Sequence, residues 1–327
     1  MILNHAIVLK EFGSEDVLST EQLQLPRYGD DKILIKIGYA GLNPIDIKTR
    51  SGVGWAADKI SSCSYKILGM EFSGRVQAVG ANVVGFQVDD EVFGWSGFPD
   101  DLGAYQQYIT VGPSSIVKRP DSIESFIASS IPVAGLTALQ AVEKVRFGIG
   151  GLENRRVLVI GASGGCGHVA LQILKSFGAS VVGVCSSRRV AFLRSLGFDD
   201  IIEYDANNSG SRYKYDAVID FVGIDRAGEY VSDLKENGYW LTIPTVSSLE
   251  TIACIQERGA VGEGMLVELN KADILKLLEL ISSGDVKVIV DRIFQMTEVK
   301  QAHIHVGQNA GFGKAVLKMT PEKCDDC

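Results

Sequence analysis

The sequence predicts an α/β chain, in which a barrel-like all-β region is followed by a doubly wound parallel sheet. Three observations carry this. Short apolar strands crowd the first third, strands and helices alternate through the middle, and "VLVIGASGGCGHVALQIL" (157–174) turns from strand to helix through glycines.

In the first third, Ile33, Ile35 and Ile37 of "KILIKIGYA" fall on one face, as the two-residue period of a strand requires. "EFSGRVQAVG", "DEVFGW" and "AYQQYITV" are further short strands, punctuated by Gly, Asp and Pro. From about residue 125 the rhythm changes. "IASSIPVAGLTALQAVEKV" has helical spacing, followed by a strand at 156–160, a helix at 166–177, a strand at 180–184, a helix at 189–196, and strands at 216–222 and 239–243. That alternation is the signature of a doubly wound parallel sheet. An amphipathic helix, "KADILKLLELISSG", then precedes strand-like "VKVIVDRIF" and "GKAVLKM".

At 327 residues the chain has ample material for two cores, without disulfides or metals as staples. A formal net charge of −8 gives no electrostatic reason to expect nucleic acid or an anionic membrane as a partner. The opening "MILNHAIVLKEFG" lacks a basic region and an uninterrupted apolar core, and no later run approaches a membrane span, so a cytoplasmic location is expected. The six cysteines are scattered and expected to be reduced. Only Cys324 and Cys327 form a CxxC, in a tail with no second ligand pair nearby, and a flexible tail is the expectation there.

The glycine turn points to an anion. First-turn helix amides lack partners and the helix dipole adds positive potential, while glycine lets a phosphate approach. Gly161, Gly164 and Gly167 are spaced GxxGxxG, one residue wider than the usual dinucleotide fingerprint, with Ser163, Gly165 and Cys166 completing the loop. The end of the next strand selects the dinucleotide. It reads "CSSRR", with no acid to take a ribose hydroxyl; Ser186 and Ser187 can donate, and Arg188 or Arg189 can fork onto a 2′-phosphate. Such a contact is worth about 1.5–3 kcal/mol, about ten- to a hundredfold, which favours NADPH over NADH. A GxxxGxG reading through Gly161, Gly165 and Gly167 fails on context, because the chain's YxxxK, Tyr28 to Lys32, lies upstream of the turn instead of after it.

Seven stretches, "GLNPIDIKTRSG", "GMEFSGRVQAVG", "GLTALQAV", "VLVIGASGGCG", "YDAVIDFVG", "KENGYWLTIP" and "GFGKAVLKM", follow one another across 41–319. Together they resemble the zinc-free quinone oxidoreductases of the medium-chain dehydrogenase/reductase superfamily, close to the plant alkenal and oxoene reductases. The resemblance implies a GroES-like β-barrel catalytic domain (1–125), a Rossmann NADPH-binding domain (126–265), and a return to the catalytic domain with a C-terminal tail (266–327). It also implies a homodimer joined through the Rossmann sheet edge.

Metal-dependent members place a Cys in the segment matching "GLNPID" and a His before the Glu of a GHE motif. Here those places hold Asn43 and Met70, the latter preceding Glu71, and the four-cysteine zinc lobe is missing too. Thioether and amide are poor zinc ligands, so no metal is expected. Without a strong Lewis acid, substrates must already accept hydride well, as quinones and α,β-unsaturated carbonyls do. The product phenolate or enolate then needs hydrogen-bond donors, and a proton from water or a nearby side chain.

The resemblance assigns roles residue by residue. Asn43 lies near nicotinamide and substrate, unless its side chain only makes an Asx-type turn before Pro44. Asp46 and Lys48 match "NPxDxK", with Lys48 supplying charge or ribose contacts; an ion pair of Asp46 with Lys48 or Arg50 is an equal reading. Thr137 matches a residue bonding near the nicotinamide, the alternative being a helix-facing hydroxyl. Tyr204 matches a tyrosine on the adenosine side. Gly223 and Lys314 match positions close to the cofactor, although Lys314 reads equally as a solvated lysine opening a strand. One departure bears on the substrate: where many bacterial quinone reductases place tyrosines after the "NPxD" segment this chain has Ile47 and then Trp55, so an apolar, roomier pocket is expected, with Trp55 or Tyr65 as an aromatic wall. His303 and His305, in "AHIHV", read as a surface alternation rather than a metal pair. Two other functions stay open: an enoyl thioester reductase, and a non-catalytic NADPH-binding regulatory or structural protein.

Overall fold

A computed structural model describes residues 3–63, 65–204, 213–223 and 228–319, so Cys324 and Cys327 lie outside the described residues. The chain divides into two compact units, one of residues 1–133, 269–274 and 289–327, the other of residues 134–268 and 275–288.

The first unit opens with β1 (Leu3–Leu9), β2 (Leu18–Gln24) and β3 (Ile33–Leu42), then two short helices, α1 (Pro44–Arg50) and α2 (Trp55–Ile60). Strands β4 (Lys66–Ile67), β5 (Glu71–Val79), β6 (Glu91–Trp95), β7 (Tyr108–Val111) and β8 (Ile116–Lys118) follow. Helices α3 (Ser125–Ala128) and α4 (Pro132–Gly148) lead on to β9 (Arg156–Ile160), α5 (Gly167–Ser176), β10 (Ser180–Cys185), α6 (Val190–Ser195), β11 (Ile201–Glu203), β12 (Tyr215–Asp220), β13 (Leu234–Thr242), α7 (Ser248–Gln256) and β14 (Val261–Gly264). After α8 (Lys271–Ser282), β15 (Val290–Gln295), α9 (Val299–Gly307) and β16 (Lys314–Lys318) complete the first unit.

The first unit is built on β3. It pairs with β16, β5 and β7 in the larger sheet, β15-β16-β3-β5-β6-β8, while β2-β1-β4 forms a second sheet. Register shifts against β5 beside Ile35 and Ile37 let the strand bend and serve all three neighbours. Ile33, Ile35 and Ile37 are fully buried in the unit's core with Phe72, Ile67 and Leu317. In the second unit six parallel strands run β11-β10-β9-β12-β13-β14, the order of dinucleotide-binding sheets. Leu158, Ile160, Val182, Val218 and Trp240 form its core.

Two expectations are corrected. The helical run at 127–145 is two helices, because Pro132 lacks an N–H to continue the first and suits the opening turn of the second. "AHIHV" is helical, not an exposed strand-like alternation. Val299, Ala302 and His303 share the inward face of α9, leaving His303 only 1% exposed. Its ring meets Tyr105 edge-on at 5.9 Å, and burial, reinforced by the Arg50 charge, takes the imidazole down to about 3. His305 instead pairs with Asp291 at 3.1 Å. No helix among the described residues is long and apolar enough to cross a membrane.

Trp240 offers a test of the second core. It is fully buried, and its indole N–H finds no acceptor among the described residues. Trp240→Ala is expected to cost about 3–5 kcal/mol, read as a large fall in melting temperature, whereas Trp240→Phe removes an orphaned donor and stays within about 1 kcal/mol.

Candidate functional site

The chemistry of the first unit gathers where three strands end together. β16 and β5 flank β3 on either side, with Ala315 opposite Leu42 and Phe72 opposite Ala40. Lys314 and Glu71, the first residues of β16 and β5, therefore meet at Asn43, which follows β3. Lys314 Nζ donates to Leu42 O at 2.8 Å, Asn43 Oδ1 at 2.6 Å and Glu71 Oε1 at 2.8 Å. Asn43 Nδ2 donates to the same Glu71 oxygen at 2.9 Å, and Glu71 Oε2 accepts from Val133 N at 2.7 Å. Both charged side chains are dry, 3% and 0% exposed.

One turn on, Asp46 accepts from Asn43 N at 2.8 Å, Gly69 N at 3.2 Å and Tyr105 OH at 3.1 Å. It caps α1, whose Pro44 needs no donor partner at the first helical position. Burial dominates its titration and pushes the carboxyl up to about 7, against the bonds from Asn43 and Tyr105 and the nearby Lys314 charge.

These contacts decide several alternatives. Asn43 makes no side-chain hydrogen bond that caps α1; its Oδ1 accepts from Lys314 and one Nδ2–H goes to Glu71. Asp46 pairs with neither Lys48 nor Arg50; Arg50 Nη1 lies 3.7 Å from Glu15. The half-buried Lys48 ammonium has no hydrogen-bond partner among the described residues, and burial lowers its pKa. Lys314 does open a strand but is not solvated, and all three of its hydrogens go to protein acceptors. Met70, at the position of the metal-binding His, packs into the apolar core. A thioether in the core, and oxygens already held by an ammonium, do not fit zinc. Trp55 is half-buried against the core with Lys59 over its ring at 5.9 Å, and Tyr65 is 42% exposed.

In the second unit β9 ends at Gly161, and α5 begins at Gly167. The two must touch: a Cβ on Gly167 would stand 2.2 Å from Gly161 O. Between them Ser163 is buried while Gly164, Gly165 and Cys166 are partly exposed. His168 Nδ1 lies 2.8 Å from Gly164 O and pins the turn from behind. Ala162 N donates to Val184 O of β10 at 2.9 Å, tying the turn to the strand that ends in Cys185. There Ser186 Oγ is buried with no partner among the described residues, Ser187 and Arg188 are exposed, and Arg189 Nη1 reaches to 3.5 Å of Ser163 Oγ. Tyr204 N donates to Cys185 O at 3.0 Å, placing that residue by the same strand end. The glycine turn at a helix start, the Ser186 hydroxyl and two arginines fit a dinucleotide. Gly223 follows β12, its N–H held 2.8 Å from Asp220 Oδ1, and Thr137 is buried in α4.

Glu71, Tyr105 and His168 were missed as site residues. A glutamate inside the apolar "LGMEF" was the one available signal; the partners of Tyr105 and His168 depend on three-dimensional pairing.

Comparison with known proteins agrees with this geometry. Residues 29–121 match the alcohol dehydrogenase GroES-like domain family, and residues 196–317 the zinc-binding dehydrogenase family. The structure of the quinone oxidoreductase from Coxiella burnetii superposes with a TM-score of 0.92 at 33% identity, covering 98% of this chain and all of that one. The chloroplastic NADPH-dependent alkenal/one oxidoreductase of Arabidopsis thaliana is 30% identical over 97% of this chain and 80% of its own. The mitochondrial NAD(P)H oxidoreductase RTN4IP1 of Bos taurus is 29% identical over 96% and 89%. The chain belongs to the medium-chain dehydrogenase/reductase superfamily, with a GroES-like domain and a Rossmann-type parallel sheet. Its relatives within that superfamily include quinone and alkenal oxidoreductases, and it is an oxidoreductase.

Asp46 gives the site a pH signature. Its folded value of about 7 lies above the ordinary 3.8, so between these the folded chain keeps a proton that the unfolded chain releases. Stability therefore falls as pH rises across that window and levels off above it, by a total of about 4 kcal/mol. Melting temperatures from about pH 5 to about pH 8 should show this decline, and Asp46→Asn should flatten it; parallel curves would contradict the assignment.

Proposed function

We propose that this chain is an NADPH-dependent, zinc-independent reductase that delivers hydride to a quinone or to the β-carbon of an α,β-unsaturated carbonyl. The observation that carries the reading is the buried Lys314–Glu71–Asn43 cluster, which sets an ammonium and an amide where a metal would need ligands. NADPH, when bound, supplies the hydride from its nicotinamide C4. The chain's own residues do the rest. Gly161 to Gly167 offer amides to the pyrophosphate, and Ser186, Ser187, Arg188 and Arg189 meet the 2′-phosphate beside Tyr204 and Gly223. Asn43 keeps one uncommitted Nδ2–H for the oxygen on which phenolate or enolate charge develops, a contact stronger in the transition state than before it. Thr137 and Lys48 orient the cofactor's reactive end, and Trp55 or Tyr65 borders the acceptor.

The exposed edge strand β14, where Val261 is 46% exposed, supports a homodimer. Among the described residues no disulfide joins Cys63, Cys166, Cys185 and Cys254, which suits a reducing compartment such as the cytoplasm.

Two experiments test this. Arg188→Ala with Arg189→Ala should weaken NADPH binding about ten- to a hundredfold and leave NADH binding unchanged; equal loss for both would remove the phosphate assignment. In steady-state assays NADPH should be oxidised by a quinone or a 2-alkenal and not by a simple ketone. Asn43→Ala should lower kcat about 10²–10³-fold. Tight NADPH binding without turnover of quinone, alkenal or enoyl-CoA would make the protein a binding protein instead.

A further inference from the structure

We infer that Lys314 and Glu71 are positioning residues for Asn43: the ion pair fixes which edge of its side-chain amide is presented and leaves one Nδ2–H without an acceptor among the described residues. For its role in the reaction the inference rests on the function proposed above; for its geometry it does not.

A side-chain amide is nearly symmetric in shape, so packing alone cannot choose between its two orientations; only hydrogen-bond partners can. Here the partners are unambiguous. Oδ1 faces an ammonium, a group that only donates, at 2.6 Å, and Nδ2 faces a carboxylate oxygen at 2.9 Å. Turning the amide over would point its carbonyl at Glu71 and its NH₂ at Lys314, so two charge-assisted bonds would become two repulsions in a buried site.

The inventory of hydrogens then settles what is left. The three on Lys314 Nζ go to Leu42 O, Asn43 Oδ1 and Glu71 Oε1. One on Asn43 Nδ2 goes to Glu71 Oε1, whose partner oxygen takes Val133 N. The second hydrogen on Nδ2 has no acceptor among the described residues. A neutral Asn held this way donates in one direction without any reorganisation when charge appears on a bound oxygen.

The backbone is shaped for the arrangement. Gly41 lies against Glu71, and a Cβ there would stand 2.4 Å from Oε1 and 2.6 Å from Ser129 O. The strand is cut away where the carboxylate must lie. Lys314 cannot be exchanged for a neutral residue without consequence, since the buried Glu71 then loses its ionic partner and Asn43 Oδ1 loses the donor that orients the amide.

The test uses the full chain with and without NADPH. Lys314→Met should lower kcat at least tenfold while the Kd for NADPH stays within threefold, and Lys314→Arg should recover part of the loss. Independently of turnover, the Asn43 side-chain amide, identified in ¹⁵N NMR spectra by its loss in Asn43→Ser, should show solvent exchange at least tenfold faster in Lys314→Met than in the wild type. If that variant does not fold, Glu71→Gln, which keeps the shape and removes the charge, should show the same two changes to a smaller degree. Exchange and kcat both within twofold of wild type would overturn the inference, as would a fall in kcat without faster exchange. Faster exchange in a protein that reduces no quinone or enone would uphold the positioning role and reject the proposed reaction instead.

Discussion

The buried ion pair of Lys314 and Glu71 is the constraint on which the first unit's chemistry depends. Taking two charges out of water costs several kcal/mol each before compensation, and removing one partner of such a pair typically costs about 3–5 kcal/mol. The pair is tolerated here because all three ammonium hydrogens and both carboxylate oxygens have partners, among them Leu42 O, Asn43 and Val133 N. Residues separated by most of the chain are thereby held at the end of one strand, and the neutral amide between them acquires a fixed direction.

Asp46 extends the same logic by a different route. Three donors from different parts of the chain converge on it, yet burial prevails and the carboxyl sits near neutrality. The network thus has an ion pair around Lys314 and, one turn on, a carboxyl whose charge changes near pH 7. In the second unit the counterpart is simpler. A glycine turn joins β9 to α5, and the neighbouring strand β10 is followed by a hydroxyl and arginines at Ser186 to Arg189.

Much of the fold could be read from local pattern because local pattern causes it. The alternation of Ile33, Ile35 and Ile37 is the buried face of β3, and the apolar run 156–160 is a strand buried on both sides. What failed had a physical reason. The two histidines of "AHIHV" alternate by two, but the segment obeys the helical period set by Val299, Ala302 and His303, so one ring is buried and the other is paired. Pro132 broke a helix whose apolar spacing continued through it. Asn43 and Lys314 were recognisable by resemblance, while the bond between them was not, because it exists only once β16 lies beside β3. Tyr105 was invisible for the same reason, and Glu71 was signalled only by its place inside the apolar "LGMEF".

The most direct measurement of the central claim is neutron diffraction from the deuterium-exchanged protein, which locates hydrogens and distinguishes amide nitrogen from oxygen. The account predicts three deuterons on Lys314 Nζ aimed at Leu42 O, Asn43 Oδ1 and Glu71 Oε1, and one deuteron of Asn43 Nδ2 directed away from every protein acceptor. An inverted amide, or an ammonium turned out of the cluster toward solvent, would contradict it.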